Sequence, residues 1–195
     1  MRKIKVMLLV LAAAASMNLL TACKSGSVNA PSGTEAEGGS QAQWKTDVEL
    51  SDVLDAVKQA YGEDYIPSMD YDAQAMKDLF GIGEGQYEEF FAQGPMISIH
   101  VDTLIGVRAK EGQADAVEQA LLDYRKSLVE DSVQYPMNMV KVNASEVVRF
   151  GDYVFFVMLG SPDMEAEEKG EEAALESAKE NNQIGVDAIE GCFRV

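Results

Sequence analysis

The chain is poor in the groups that carry out most protein chemistry. Its 195 residues include one histidine and two cysteines. A single imidazole excludes H-E-x-x-H zinc chemistry and any two-histidine metal site. Two cysteines near opposite ends, Cys23 and Cys192, cannot build the disulfide framework of a small secreted scaffold. Basic residues are also few, 16 against 33 acidic ones, for a formal charge of −17. Phosphate binding needs a basic face, so nucleic acid is excluded as a partner. The longest apolar stretch, Val6 to Leu20, spans fifteen residues and is broken by Ser16 and Asn18. A membrane-spanning helix needs about 20. No P-loop, G-x-S-x-G elbow or alternation of strand and helix is present.

Apolar residues make up 47% of the chain, which excludes wholesale disorder. A body of about 150 residues buries roughly 70% of its unfolded surface, enough for a core without staples.

Residues 1–22 have the pattern of a secretory leader: Arg2, Lys3 and Lys5, then the apolar stretch. Leu20-Thr21-Ala22-Cys23 follows, a large apolar residue, two small ones and a cysteine. This box resembles that of bacterial lipoproteins. The resemblance implies that the Cys23 thiol receives diacylglycerol and that cleavage makes Cys23 the mature N-terminus. Small residues let a peptidase reach the bond, and only a thiol can form the thioether. Loss of those three of the 16 basic residues leaves 13 against 33 acidic ones, a charge of −20. Residues 23–43 have Val28 as their only large apolar side chain and read as a flexible tether. Some twenty such residues reach on the order of 25 Å.

Residues 44–195 read as one α+β domain. Trp44 opens it, Ser51 is the expected cap of a helix ending at Gly62, and Asp70 or Asp72 caps a second over Ala73 to Phe80. Gln86 to Ala92 fits a further helix. From Pro95 the period changes to two: Ile97, Ile99, Val101, Ile105, Val107 and Ala109 share one parity. This predicts one long strand or, preferably, a hairpin turning near Asp102-Thr103. Gly112 to Asp131 gives the clearest helix, with Ala114, Val117, Leu121, Tyr124 and Leu128 on one face. Ser145–Phe150 and Tyr153–Leu159 flank Gly151-Asp152, a hairpin turn pair. The second of these runs is apolar on both faces and predicts a covered central strand. An acidic helix from Asp163 to about Asn181 follows, and Ile184, Ala188, Ile189 and Phe193 dock a last turn or two. The expected fold is an antiparallel sheet of about four strands, two hairpins around a long helix, with N- and C-terminal helices.

Tyr61-Gly-Glu-Asp-Tyr-Ile-Pro67, Gly94-Pro-Met-Ile-Ser-Ile-His-Val-Asp102 and Gly151-Asp-Tyr-Val-Phe-Phe156 resemble a family of Gram-positive lipoproteins filed as a domain of unknown function. The likeness covers roughly Leu50 to Gly160. It implies export and anchoring and assigns no activity, cofactor or catalytic residue.

The candidate chemistry is thin. Ser98, His100 and Asp102 share a parity, but neighbours two apart on a strand are about 6–7 Å apart, too far for a nucleophile and its base. Asp70-Tyr71-Asp72 opens like a calcium loop, yet Ala75 stands where Gly is needed and Gly81 where Glu is needed. Gly81-Ile-Gly-Glu-Gly85 follows a helix and carries Glu84 without a nearby lysine, so it is a loop and not a phosphate cradle. Glu165 to Glu176 reads as a solvated helix face. Cys192 reads as a small buried apolar group. Tyr135-Pro136-Met137-Asn138-Met139 is expected to be a loop, and thioethers adapt to irregular apolar shapes. His100, Tyr135, Met137 and Met139 are therefore the candidate contacts for a ligand or partner, beside Cys23 as the lipidation site. Together these readings point to a lipid-anchored protein on the extracytoplasmic face of the cell membrane, without cofactor or catalysis, that binds another envelope protein or a small ligand or forms part of an envelope complex. The alternatives are a small-molecule or peptide binding module serving a transporter or sensor, and a carboxylate-based cell-wall hydrolase. A closed pocket near His100 or Met137 to Met139 favours the ligand reading, an exposed apolar patch the interaction reading.

Overall fold

The computed structural model describes residues 44–131 and 133–195. The leader, the tether and Cys23 lie outside the described residues.

The domain is a five-stranded antiparallel sheet with helices on both faces. Helix α1 (Leu50–Tyr61) buries Leu50, Val53, Val57 and Tyr61 on one stripe. It begins one residue before Ser51, at Glu49 as cap, so the expected Ser51 cap is corrected. Leu50 is 1% exposed, and winding it into the helix carries its side chain into the core. Strand β1 (Met69–Asp70) precedes α2 (Ala73–Phe80). The Ala75 amide donates to the Asp72 carboxylate at 2.9 Å, and Gly81 ends α2 in the left-handed region at φ 72°.

Strand β2 (Tyr87–Gly94) corrects the helix expected at Gln86 to Ala92. Tyr87, Phe90 and Phe91 have helical spacing in sequence, but a register shift between Tyr87 and Glu89 puts Tyr87 and Phe90 on the same sheet face. Their rings meet edge to face at 4.9 Å. Strand β3 (Thr103–Ala109) pairs antiparallel with β2 from Gln93↔Leu104 to Tyr87↔Ala109. The strand or hairpin expected over 96–109 is therefore corrected. Residues 95–102 form the loop between β2 and β3, with the His100 amide donating to the Ile97 carbonyl at 3.2 Å. Ile105, Val107 and Ala109 keep the expected parity and face the core.

Helix α3 (Ala114–Glu130) forms as expected. Helix α4 (Pro136–Ala144) corrects the loop expected at Tyr135 to Met139, with Pro136 in its first turn. Strands β4 (Glu146–Phe150) and β5 (Tyr153–Met158) make the expected hairpin, and β5 is buried along its whole length. The sheet order is β1-β2-β3-β5-β4. The acidic segment is two helices: α5 (Met164–Lys169) stops at Gly170, φ 116°, and α6 (Glu171–Phe193) runs on to Phe193.

Alternation along the strands divides the core. Val107, Val154, Phe156 and Met158 meet Met76, Phe80, Val117, Leu121 and Val142 from α2, α3 and α4. Leu104, Phe155 and Val157 meet Val53, Val57, Val186, Ile189 and Phe193 from α1 and α6. Gly106 lies between Phe91 and Phe155, where an added Cβ would meet the Phe91 ring at 2.4 Å.

Candidate functional site

Three segments converge where β3 begins and β5 ends: loop 95–102, helix α4, and the stretch that follows β5. Backbone and side-chain hydrogen bonds fix the last of these to α6. The Leu159 amide donates to Asn182 Oδ1 at 3.0 Å, Asn181 Nδ2 donates to the Ser161 carbonyl at 2.6 Å, and the Asp163 amide donates to Ser177 Oγ at 3.0 Å. Gly160 sits at φ 76° with Asn181 against it, a place no Cβ fits. The Tyr61 hydroxyl donates to the Asn181 carbonyl at 2.6 Å and accepts from the Gly185 amide at 3.1 Å. Burial, first, and the Asp102 charge push its acidity far below that of a free phenol, while the Gly185 amide acts against them.

At the centre stands a buried ion pair. Lys141 Nζ donates to Asp102 Oδ2 at 2.5 Å, with the two side chains 6% and 1% exposed. The ammonium also reaches Ser161 Oγ at 3.4 Å. Asp102 Oδ1 is buried without a hydrogen-bond partner. One turn earlier on α4, Asn138 Nδ2 donates to the Ile99 carbonyl at 3.0 Å and closes the loop onto the helix. The pair thus joins loop, helix and the segment after β5.

The two faces of α4 line two hollows. Met137, Asn138 and Lys141 look onto a cavity of about 200 Å³ completed by Ile99, His100, Ser161, Pro162 and Glu167. Pro136, Met139, Val140 and Asn143, at helical spacing, form one wall of a groove of about 540 Å³. Ala174 and Leu175 of α6 form its other wall, and Glu167 and Glu171 stand at it. The structure therefore brings His100 and Met137 together, puts Met139 on the opposite face of α4, and leaves Tyr135 exposed just ahead of the helix. His100 is in a loop, not on a strand, and the Asp102 carboxylate is engaged by Lys141, so no Ser98-His100-Asp102 relay forms. Lys141 and Asp102 were not distinguished by the sequence as a pair. They are 39 residues apart, and the one available signal was a lone lysine in an apolar nine-residue helix.

Several large apolar side chains of loop 95–102 and of the start of α4 are exposed. Met96, Ile97 and Ile99 are 73%, 58% and 50% exposed, and Tyr135 and Met137 are each 60% exposed. Among the described residues no cluster of three metal-ligating side chains occurs, and no helix is long and apolar enough to cross a membrane.

The sequence profile of a domain of unknown function, DUF4358, matches residues 60–159. The chain belongs to that family. Comparison with curated proteins and with solved structures gives no match. The DUF4358 segment runs from the end of α1 to just past β5 and includes loop 95–102, Asp102, α4 and Lys141. Ser161, Glu167 and the second wall of the groove come from beyond it.

Proposed function

We propose that this DUF4358 protein is a Gram-positive lipoprotein, anchored through Cys23 on the extracytoplasmic face of the cell membrane, whose domain binds another envelope protein and catalyses no reaction. The observation that carries the binding role is the exposed apolar surface of Met96, Ile97, Ile99, Tyr135 and Met137 on a framework held by hydrogen bonds and a buried ion pair. Scattered apolar side chains on a surface need no explanation, but here Ile99 and Met137 line one cavity, and Met96, Ile97 and Tyr135 follow or precede them closely in the chain. The cavity beside His100, about 200 Å³, is smaller than the roughly 300–1,000 Å³ typical of ligand pockets, whereas the groove beside Met139, about 540 Å³, falls within that range. For the anchor the support is the Leu20-Thr21-Ala22-Cys23 box behind a basic and apolar leader.

Two measurements test this. Metabolic labelling with a radioactive fatty acid marks the native protein and leaves Cys23→Ala unmarked; equal labelling of both ends the anchor. A photoreactive amino acid at Ile97 gives one discrete adduct on intact cells, and the same group at exposed Asp187 of α6 gives none. Identical behaviour at the two positions ends the binding role.

A further inference from the structure

The groove between α4 and the α5–α6 junction has its own chemistry. Its two walls are mostly apolar, with Pro136, Met139, Val140, Ala174 and Leu175 beside Gln134 and Asn143, and its carboxylates are Glu167 and Glu171. Among the described residues neither glutamate has an ion-pair partner. An apolar trough beside unpaired anions suits an occupant that is apolar and cationic together. We infer that this groove receives a basic amphipathic segment of a partner protein, its apolar side chains on Met139, Val140 and Leu175 and its Lys or Arg groups on Glu167 and Glu171. The inference rests on the binding role proposed above and adds a second contact for that partner, on the face of α4 opposite Met137.

Charge and composition select this occupant over others. Residues 24–43 offer Lys24 as their only cation, against Glu35 and Glu37, and Val28 as their only large apolar side chain, so the chain's own tether does not match the groove. A second copy brings a like charge, −20 once the leader is removed, and an anionic bilayer repels the domain for the same reason. Helix α4 has nine residues, a little over two turns, and such a wall suits a short helical segment.

The test uses the full-length protein in phosphatidylcholine nanodiscs and a fluorescent peptide of about 14 residues, roughly four helical turns, with Leu on one face and Lys on the other. Two isomers serve as controls, one with Glu in place of Lys and one with Ser in place of Leu. The Leu/Lys peptide binds loaded discs above the level of empty ones, and both controls bind far less. The double variant Glu167→Gln with Glu171→Gln weakens it about tenfold, as does Leu175→Asn, with unchanged circular dichroism. Hydrogen exchange then slows in 136–144 and 171–175. Equal binding of the Ser/Lys peptide, no loss in either variant, or protection of these segments by lipid or by a second copy alone overturns the inference. If the peptide fails while the Ile97 adduct persists, the partner class is wrong and the binding role stands.

Discussion

Lys141 and Asp102 meet at 2.5 Å where almost no water reaches either side chain. Removing two charges from water costs several kcal/mol, and their attraction repays it only while both are present. Asp102→Ala therefore leaves an isolated buried ammonium and lowers the unfolding free energy by about 3–5 kcal/mol. Replacing both residues by apolar ones of similar size, Lys141→Met with Asp102→Leu, restores most of the loss. Urea denaturation of both variants checks this, and a double variant no more stable than Asp102→Ala would show that the pair is not coupled.

Gly106 is required by space and not by backbone angle. Phe91 and Phe155 occupy the volume a methyl group would need, one of them 2.4 Å from it. Gly106→Ala costs about 1–3 kcal/mol through displaced rings, and Phe91→Leu in the same chain recovers part of it. Thermal melts of the single and double variants report the difference.

Tyr124 packs edge-on against Phe80 at 4.8 Å and Phe156 at 5.2 Å. Burial, with a smaller contribution from Tyr71, pushes its phenol up to about 12. The folded state then holds a proton that the unfolded chain gives up near 10.0, so stability is full below that value and falls as pH rises from 10.0 through about 12. Tyr61 and Tyr65 are raised in the same direction by burial and add to the effect. Phenolate absorbance should rise together with loss of the fold. Complete tyrosine ionisation near 10 with helical dichroism intact would contradict this.

Cys192 is half-buried on α6, its thiol donating to the Ala188 carbonyl at 3.4 Å. Burial raises its pKa and nearby Lys45 only partly offsets this. The native protein reacts slowly with an aromatic disulfide reagent at neutral pH, and urea accelerates the reaction sharply. A fast native reaction would place the thiol in water.

Where sequence reasoning succeeded, one local pattern was enough. The Gly151-Asp152 turn between two β-rich runs gave the β4–β5 hairpin, and the stripe through Val117 and Leu121 gave α3. Where it failed, the deciding fact lay elsewhere in the fold. The bulge at Tyr87 disguised β2 as a helix, because one extra residue turns alternation into a spacing of three. Ile97 and Ile99 alternate like a strand, but pairing with β2 stops at Gln93↔Leu104, so they have no partner. At Asn181-Asn182 the polar pair reads as a helix end, yet both side chains hold the segment after β5 and α6 continues past them. Of the candidate contacts, His100 and Met137 share a cavity. The buried pair beneath them was illegible, since no local pattern joins residues 102 and 141.

Trp44 bridges Arg194 in an antiparallel contact, and its ring meets Phe150 at 5.0 Å. The folded unit is thus entered and left at one corner, beside the β4–β5 turn. Loop 95–102 feeds the other end of the β3–β5 ladder, Thr103↔Met158, roughly 20 Å away along the strands. A fluorophore fused beyond Val195 would therefore report from the Trp44 corner and leave the opposite pole unobstructed.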